Sequence, residues 1–187
     1  FSPFNIATAL AMTQAGARGN TESQMAKALH LTQQRAVLHP AFSRLIEDIE
    51  RGSKRGGYQL SIANALWPQR GYAFLRDYVE LIAKNYRSES RELNFSGATE
   101  EARQAINGWV EKKTEERIKD LLKPGILTGA TRLVLTSAIY FKGRWATRFD
   151  PKLTAEAPFI APNGAKVPSR FMYKKGTFAF LDAERFQ

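Results

Sequence analysis

Residues Leu133 to Pro151 have the sequence LVLTSAIYFKGRWATRFDP, the stretch that says most about the fold. Its first nine residues, LVLTSAIYF, are almost continuously apolar and rich in branched and aromatic side chains. Such a run is typical of a strand that is covered on both faces at the centre of a sheet. We therefore predict a central, buried strand over Leu133 to Phe141.

Further strand patterns lie on either side of this stretch. Residues 58–67 begin with alternating apolar and polar side chains and stop at Pro68, as a strand does. Downstream, segments 157–161 and 166–172 are separated by Asn163-Gly164. Because Asn-Gly favours the tight turns of hairpins, these two segments are predicted to pair.

Helical patterns dominate the first half of the chain. Ser2 followed by Pro3 is typical of a helix N-terminus, with the serine as the cap. Apolar residues at helical spacing predict helices over about 40–49 and over 74–86. Residues 51–57 contain three glycines among polar side chains and are predicted to form a loop.

The composition is that of an ordinary globular protein, with 43% hydrophobic and 25% charged residues in a chain of 187. Helix and strand patterns do not alternate regularly, which favours an α+β class over a doubly wound or barrel enzyme. No apolar stretch approaches the length of a membrane span, so no membrane partner is expected.

Residues that commonly carry catalysis are scarce. The chain has no cysteine, which excludes a thiol nucleophile, a disulfide framework and a thiolate metal site within it. Its two histidines, His30 and His39, are predicted to be surface or helix-flanking residues. We find no phosphate-binding loop, nucleophile elbow or zinc motif, and so predict no enzyme activity, no cofactor and no metal site.

Positive charge is concentrated in the last quarter of the chain. The net charge is +10, and residues 142–175 hold eight basic residues against two acidic ones. This segment could bind a polyanion such as heparin, or it could be an ordinary solvated basic face. The candidate polyanion-binding residues are Lys142, Arg144, Arg148, Lys152, Lys174 and Lys175.

Four segments together resemble the serpin family of serine protease inhibitors, in the family's order and spacing. FSPFNIATALAMTQAGARGNTESQMAKAL (residues 1–29) is similar to its paired helices, and IANALW (62–67) to a strand of its large sheet. INGWVEKKTEERIKDLL (106–122) is similar to the helix across that sheet, and LVLTSAIYFKGRWATRFDP (133–151) to its most recognisable signature here. The resemblance covers essentially the whole chain.

The resemblance implies a serpin fold, in which helices pack on a large mixed sheet and further strands form smaller sheets. Residues 1–187 would be a partial single domain. It would have a helical start over about 1–52, sheet strands and the crossing helix over about 58–145, and smaller-sheet strands over about 154–187. The reactive loop and the remaining C-terminal part of the fold would follow Gln187, in the same chain or in another.

The implied function is inhibition of a serine-type or cysteine-type protease by suicide-substrate trapping. In this family a protease cleaves an exposed reactive loop, which inserts as a new strand into the large sheet of a metastable fold. The partner would be a target protease, and an extracellular location is favoured over a cytoplasmic one. A non-inhibitory serpin (a carrier, chaperone or storage protein) and a polyanion-binding protein are the alternatives.

By the same resemblance, four residues belong to the apparatus that opens the sheet. Ser2, Asn5 and Ser137 would form the shutter beneath the opening, and Trp145 would lie in the breach at its top. The family usually has serine at the position of Asn5 and asparagine at that of Ser137. We predict that the exchange preserves a hydrogen bond between these two side chains.

Overall fold

The computed structural model describes residues 2–178, apart from the side chain of Lys54. The chain divides into two compact units, residues 1–143 and residues 144–187. The first unit holds five helices and a three-stranded sheet, and the second holds a two-stranded sheet among the residues described. The part of the predicted smaller-sheet region that follows residue 178 lies outside the described residues.

The secondary-structure elements follow one another as helices first and longer strands later. The first unit contains α1 (Pro3–Gly16), α2 (Gly19–Ala28), α3 (Arg35–Gly56), β1 (Gln59–Pro68), α4 (Arg76–Tyr86), β2 (Glu89–Ser90), α5 (Thr99–Lys113) and β3 (Leu133–Lys142). The second contains a short 3₁₀ helix (Pro151–Leu153) followed by β4 (Ala155–Ile160) and β5 (Lys166–Phe171). Among the helices of residues 2–178, none has both the length and the apolar character that crossing a membrane requires.

In the three-stranded sheet β1 lies between β2 and β3. β1 and β3 are antiparallel and paired over their whole length, from Gln59 opposite Lys142 to Pro68 opposite Leu133. The predicted strand over Leu133 to Phe141 is therefore confirmed as a strand. Its predicted central position is not, since within the described residues β3 is paired along one edge only, and Phe141 is 65% exposed.

The two faces of this sheet are covered by different helices. On one face Ala63, Trp67 and Ala138 pack in a core with Ile106 and Trp109 of α5. On the other face lies a second core, formed by Ala11, Met12, Ala15, Ile46, Ile82 and Tyr86 from α1, α3 and α4, with Leu135 of β3 against it. Because successive strand residues point to opposite faces, alternate residues of β3 contribute to the two cores.

The predicted loop over 51–57 is wrong, because α3 continues to Gly56. Tyr58 explains why glycines are tolerated in this helix end. A Cβ atom on Gly56 would come within 2.5 Å of the Tyr58 ring, and one on Gly52 within 3.0 Å of its hydroxyl. The Ser53 hydroxyl donates to the Tyr58 carbonyl at 3.1 Å and accepts from the Leu60 amide of β1 at 3.2 Å. Local packing of Tyr58 against the helix end therefore outweighs the loop-like composition.

The second unit is built on the predicted hairpin. β4 and β5 are antiparallel, and the turn between them contains Gly164 at φ 80°, which glycine adopts without strain. The Asn163 side chain accepts a hydrogen bond from the Ala165 amide at 3.1 Å, as expected of an Asn-Gly turn.

Candidate functional site

Ser2 caps the helix that carries Asn5. Its backbone is extended (φ −122°, ψ 108°), and its hydroxyl oxygen accepts a hydrogen bond from the Asn5 amide at 3.3 Å. Pro3 occupies the first helical position, where a missing N–H costs nothing. The predicted cap is thus confirmed, and it fixes the first turn of α1 with Asn5 facing inward.

Asn5 is buried with part of its hydrogen-bonding capacity unused. The residue is 6% exposed, and its Oδ1 has no hydrogen-bond partner among the described residues. A buried carbonyl oxygen without a donor costs about 1–3 kcal/mol. Helix α1 packs against β3 and α4, and its first turn therefore carries a carbonyl oxygen that can accept a hydrogen bond.

Ser137 lies on the same face of the sheet as Asn64, directly opposite it in the β1–β3 pairing. The Ser137 hydroxyl donates to Asn64 Oδ1 at 2.9 Å, and Asn64 Nδ2 donates to the carbonyl of Tyr86 at 3.2 Å. Asn64 is only 3% exposed. A continuous chain of hydrogen bonds thus joins β3, β1 and the end of α4.

The predicted hydrogen bond between Asn5 and Ser137 is not formed. Both residues are described, but the Ser137 hydroxyl is bonded to Asn64 and the Asn5 carbonyl oxygen has no partner. The cause is the register of the sheet, which places Asn64 opposite Ser137 and within direct reach. Asn64 was missed because its cross-strand partner cannot be known from local sequence, although a polar residue within IANALW was a visible signal.

Tyr86 and His39 extend the polar chain into the helices beneath. Tyr86 is fully buried, and its hydroxyl lies 2.7 Å from His39 Nδ1. Burial lowers the pKa of His39, with the nearby Arg35 charge acting in the same direction, and burial raises the pKa of Tyr86 far above its ordinary value. Both rings are therefore neutral near pH 7. The predicted surface position is confirmed for His30 and wrong for His39, which is 2% exposed.

Glu89 of β2 fastens α5 to the edge of the sheet. Its carboxylate accepts hydrogen bonds from Lys113 at 2.7 Å, from Arg91 at 2.6 Å and from the Trp109 indole at 3.1 Å. The hydrogen bond from Lys113, followed by those from Trp109 and Arg91, lowers the pKa of Glu89 to about 2. No local pattern pointed to Glu89, because the two-residue strand β2 has no recognisable periodicity.

Trp145 belongs to the second unit, where its side chain is 65% exposed. It packs edge-to-face on Phe149, with ring centroids 5.3 Å apart. These two aromatic residues line a surface cavity of about 450 Å³ together with Arg144, Arg148 and Met172.

The remaining basic candidates are spread over both units. Lys142 ends β3, whereas Lys152, Lys174 and Lys175 belong to the second unit. The Lys174 ammonium donates to the Thr147 carbonyl at 2.9 Å and lies 6.0 Å from the Phe149 ring. Among residues 2–178, no group of three histidine or carboxylate side chains is placed to hold a metal ion.

The sequence model of the family described as Serpin (serine protease inhibitor) matches residues 1–187 of this chain. The chain belongs to the serpin family. The leukocyte elastase inhibitor of Sus scrofa is 42% identical over 179 residues, which are 96% of this serpin chain and 47% of that protein. This relative lends no support to the extracellular location that the resemblance implied.

Solved serpin structures share the fold. The ovalbumin of the emu, Dromaius novaehollandiae, superposes with a TM-score of 0.85 at 33% identity, covering 94% of this chain and 48% of that one. An Arabidopsis serpin solved in its native stressed conformation gives a TM-score of 0.83 at 32% identity, with coverages of 94% and 44%. This serpin chain thus spans about half the length of the relatives that it matches.

Proposed function

We propose that the full-length protein containing this chain inhibits a serine-type or cysteine-type protease as a suicide substrate. The catalytic oxygen or sulfur of the protease attacks a carbonyl of the reactive loop, forming an acyl-enzyme and releasing the new amino terminus of the loop. The cleaved loop then inserts beside β3, carrying the acyl-linked protease with it. Kinship with an elastase inhibitor supports this assignment within the family.

The outer edge of β3 is the observation that carries the proposal. Within residues 2–178, the strand is bonded to β1 along one edge over ten residues, and its other edge has no strand partner. An unpaired edge presents a row of N–H and C=O groups to any extended segment that reaches it. In the uncleaved full-length protein a strand from the remainder of the fold would satisfy these groups, and the cleaved loop would take its place beside β3.

The polar residues beneath β3 support a role in opening the sheet. The bonds from Ser137 to Asn64 and from Asn64 to Tyr86 join the strands to α4, and they must adjust if the strands move over the helices. The free carbonyl oxygen of Asn5 can accept a donor that arrives with such a movement. We therefore propose that Ser2, Asn5 and Ser137 form the shutter; the breach role proposed for Trp145 rests on the family resemblance alone.

The partner strand of β3 is assigned to the C-terminal remainder of the fold, in the same chain or in another. This assignment rests on the half-length match to the relatives and on the apolar composition of the strand with the open edge. Residues 1–187 produced alone should therefore associate or aggregate. A monodisperse monomer that unfolds cooperatively would contradict this assignment.

The test of inhibition is incubation of the full-length protein with a panel of trypsin-like, chymotrypsin-like, elastase-like and papain-like proteases. We expect an SDS-stable complex with at least one active protease, and none when its catalytic serine or cysteine is blocked beforehand. If every protease that cleaves the reactive loop is released without a complex, the protein is a non-inhibitory serpin, with a carrier, chaperone or storage role.

A second candidate function is the binding of a polyanion such as heparin. It is favoured by the side chains of Arg144 and Arg148, which line an open cavity beside the exposed Trp145. Because each cation that contacts a polyanion releases counterions, Arg144→Gln and Arg148→Gln should each reduce the slope of log affinity against log salt by about 1. Lys112→Gln on α5 is the control, and equal slopes in all variants would exclude this candidate.

A further inference from the structure

His39 of α3 is a buried histidine that holds this helix against α4. The residue is 2% exposed, and its Nδ1 lies 2.7 Å from the hydroxyl of Tyr86, the last residue of α4. The two rings meet edge-to-face with their centroids 5.8 Å apart, and Phe42, one turn later on α3, packs on Tyr86 at 5.4 Å. Because Tyr86 is fully buried, these contacts form a joint between the two helices that excludes water.

The second ring nitrogen of His39 has nothing to bond with in this joint. Nε2 has no hydrogen-bond partner among residues 2–178, and the atoms around it seal it from water. A protonated imidazole has two N–H donors, whichever nitrogen carried the proton of the neutral ring. The Tyr86 hydroxyl can accept from Nδ1, but the N–H at Nε2 would be a buried, charged donor without an acceptor.

The nearest charges do not compensate for a proton on the His39 ring. Arg35, one turn earlier on α3, repels a protonated ring, and Glu22 of α2, which attracts it, is already paired with Arg35 at 2.9 Å. Burial holds the pKa of His39 below its ordinary value of 6.5, and the Arg35 charge acts in the same direction. Helix α1 and strand β1 contain no titratable residue that could offset this.

The groove that His39 lines between α3 and α4 carries more positive than negative charge. Its other charged side chains, besides Arg35, are Arg44, Glu47 and Lys84. Glu47 is paired with Arg87 at 3.3 Å, so the carboxylate of this groove is already used. The surroundings of His39 therefore favour the neutral ring on every side that the described residues cover.

Tyr86 also connects the joint to the sheet. Its backbone carbonyl accepts the hydrogen bond from Asn64 Nδ2 at 3.2 Å, and Asn64 Oδ1 accepts the bond from the Ser137 hydroxyl at 2.9 Å. A displacement of Tyr86 at the end of α4 therefore disturbs the polar contact between β1 and β3.

We propose that His39 is an acid-sensitive latch: when its ring takes up a proton, α3 separates from α4, and the bonds through Asn64 to β1 and β3 weaken. Separation lets water reach the second N–H, which the closed fold does not allow. Because the opened ring binds a proton at an ordinary pKa and the closed ring does not, the closed state is fully favoured above about pH 6.5 and loses its advantage as the pH falls below that value.

Acid would thus bias the sheet toward the opening that loop insertion needs, a consequence that rests on the inhibitory function proposed above. The latch itself is a property of the fold. Both tests below are therefore made without a protease, so that their failure and the failure of the inhibitory function are distinguishable.

The first test is hydrogen exchange of the full-length protein at pH 7.5 and pH 5.5, expressed as protection factors to remove the pH dependence of intrinsic exchange. Protection of residues 36–42, 82–86 and 62–66 should fall by up to about tenfold at the lower pH, the limit for uptake of one proton at an ordinary histidine pKa. Ordinary carboxylates stay ionised in this range. Residues 102–110 of α5 are the internal reference and should change little.

Two matched variants assign the effect to one ring. His39→Gln should abolish the loss of protection at pH 5.5, whereas His30→Gln, at a histidine that is exposed just after α2, should retain it. Equal protection at the two pH values in the wild-type protein overturns the latch, and so does a loss that persists in His39→Gln. If α3 and α4 lose protection but residues 62–66 do not, the link to the sheet is overturned.

The second test uses the wild-type protein alone, so it holds even if His39→Gln fails to fold. The His39 ring is followed by NMR in protein labelled with ¹³C-histidine, and its signal is identified by its contacts with the Tyr86 ring. Its titration midpoint should lie below pH 6.5. A midpoint at or above pH 6.5 would mean that the closed fold accommodates the proton, and would overturn the proposal.

Discussion

The two faces of the three-stranded sheet differ in how completely their buried polar groups are satisfied. On the α5 face, the Trp67 indole donates to the Thr136 hydroxyl at 2.9 Å, and the Trp109 indole donates to Glu89 at 3.1 Å. The opposite face is covered by α1, α3 and α4. Of the described residues, those with a buried side-chain atom that lacks a partner all belong to α1 and α3: Asn5, Gln14 and His39.

Among the described residues, the buried polar side-chain atoms of the α5 face all have hydrogen-bond partners, whereas three on the α1 face do not. Buried polar groups in native proteins are nearly always bonded, so three exceptions beneath one face call for a physical reason. Each costs about 1–3 kcal/mol that a rearrangement could recover. We infer that the polar groups of the α5 face are satisfied within the described residues, whereas those of the α1 face are left for donors that these residues do not supply.

The largest effect on the free energy of unfolding is expected from a substitution in the core between the sheet and α5. Trp67 is 1% exposed, and its ring lies edge-to-face against Trp109 at 5.5 Å. Trp67→Ala should lower the free energy of unfolding by about 3–5 kcal/mol, because it leaves a cavity and an unpaired Thr136 hydroxyl. Urea unfolding of the full-length protein measures this change. Tyr72→Ala, at a side chain that is half exposed, is the control and should cost far less.

A double-mutant cycle tests the bonding scheme of the opposite face. Asn64→Ala and Ser137→Ala should be coupled by about 0.5–3 kcal/mol, because their side chains share a hydrogen bond. Asn5→Ala and Ser137→Ala should be nearly additive in the free energy of unfolding. If Ser137 were strongly coupled to Asn5 and not to Asn64, the hydrogen bond predicted between the Asn5 and Ser137 side chains would exist after all.

The free energy of unfolding at acid pH should report the contacts by which Glu89 anchors α5. The Lys113 hydrogen bond leads the interactions that lower the pKa of Glu89 from 4.5 to about 2. The anchor therefore contributes fully above pH 4.5, and its contribution is lost as the pH falls toward 2. Glu89→Gln should remove about 1 kcal/mol at pH 7, a value that allows for solvent screening of this partly exposed carboxylate.

The measurement for this anchor is the free energy of unfolding between pH 2 and pH 6, in wild-type protein and in Glu89→Gln. The difference between the two should be constant above pH 4.5 and should shrink below it. A difference that does not depend on pH would mean that the charge of Glu89 does not hold α5.

The smallest effect is expected from Arg91, the exposed partner of Glu89. Arg91 bonds to Glu89 at 2.6 Å, but its side chain is 57% exposed. Exposed ion pairs contribute little, so Arg91→Gln should change the free energy of unfolding by less than about 1 kcal/mol. A loss as large as that in Glu89→Gln would show that Arg91, and not Lys113, is the main partner.

Local patterns in the sequence predicted the elements, whereas the contacts between them required the structure. The strands over 58–67 and 133–141, the cap at Ser2 and the hairpin turn at Asn163 all depend on short-range spacing and turn chemistry. Asn64 was missed because only the β1–β3 register shows that it faces Ser137. The helical end of α3 was missed because three glycines among polar residues favour a loop, whereas in the structure the neighbouring Tyr58 ring packs against Gly52 and Gly56.

Hydrogen exchange of β3, before and after cleavage of the reactive loop in the full-length protein, tests the central claim most directly. In an antiparallel strand alternate amides face one neighbour, so half of the β3 amides point toward β1 and half toward the edge where the loop would insert. We predict that the outward-facing amides, which before cleavage bond to a strand that must give way to the loop, exchange more slowly once the loop has replaced it, while those bonded to β1 change little. Unchanged exchange of the outward-facing amides after complete cleavage would contradict insertion of a strand beside β3.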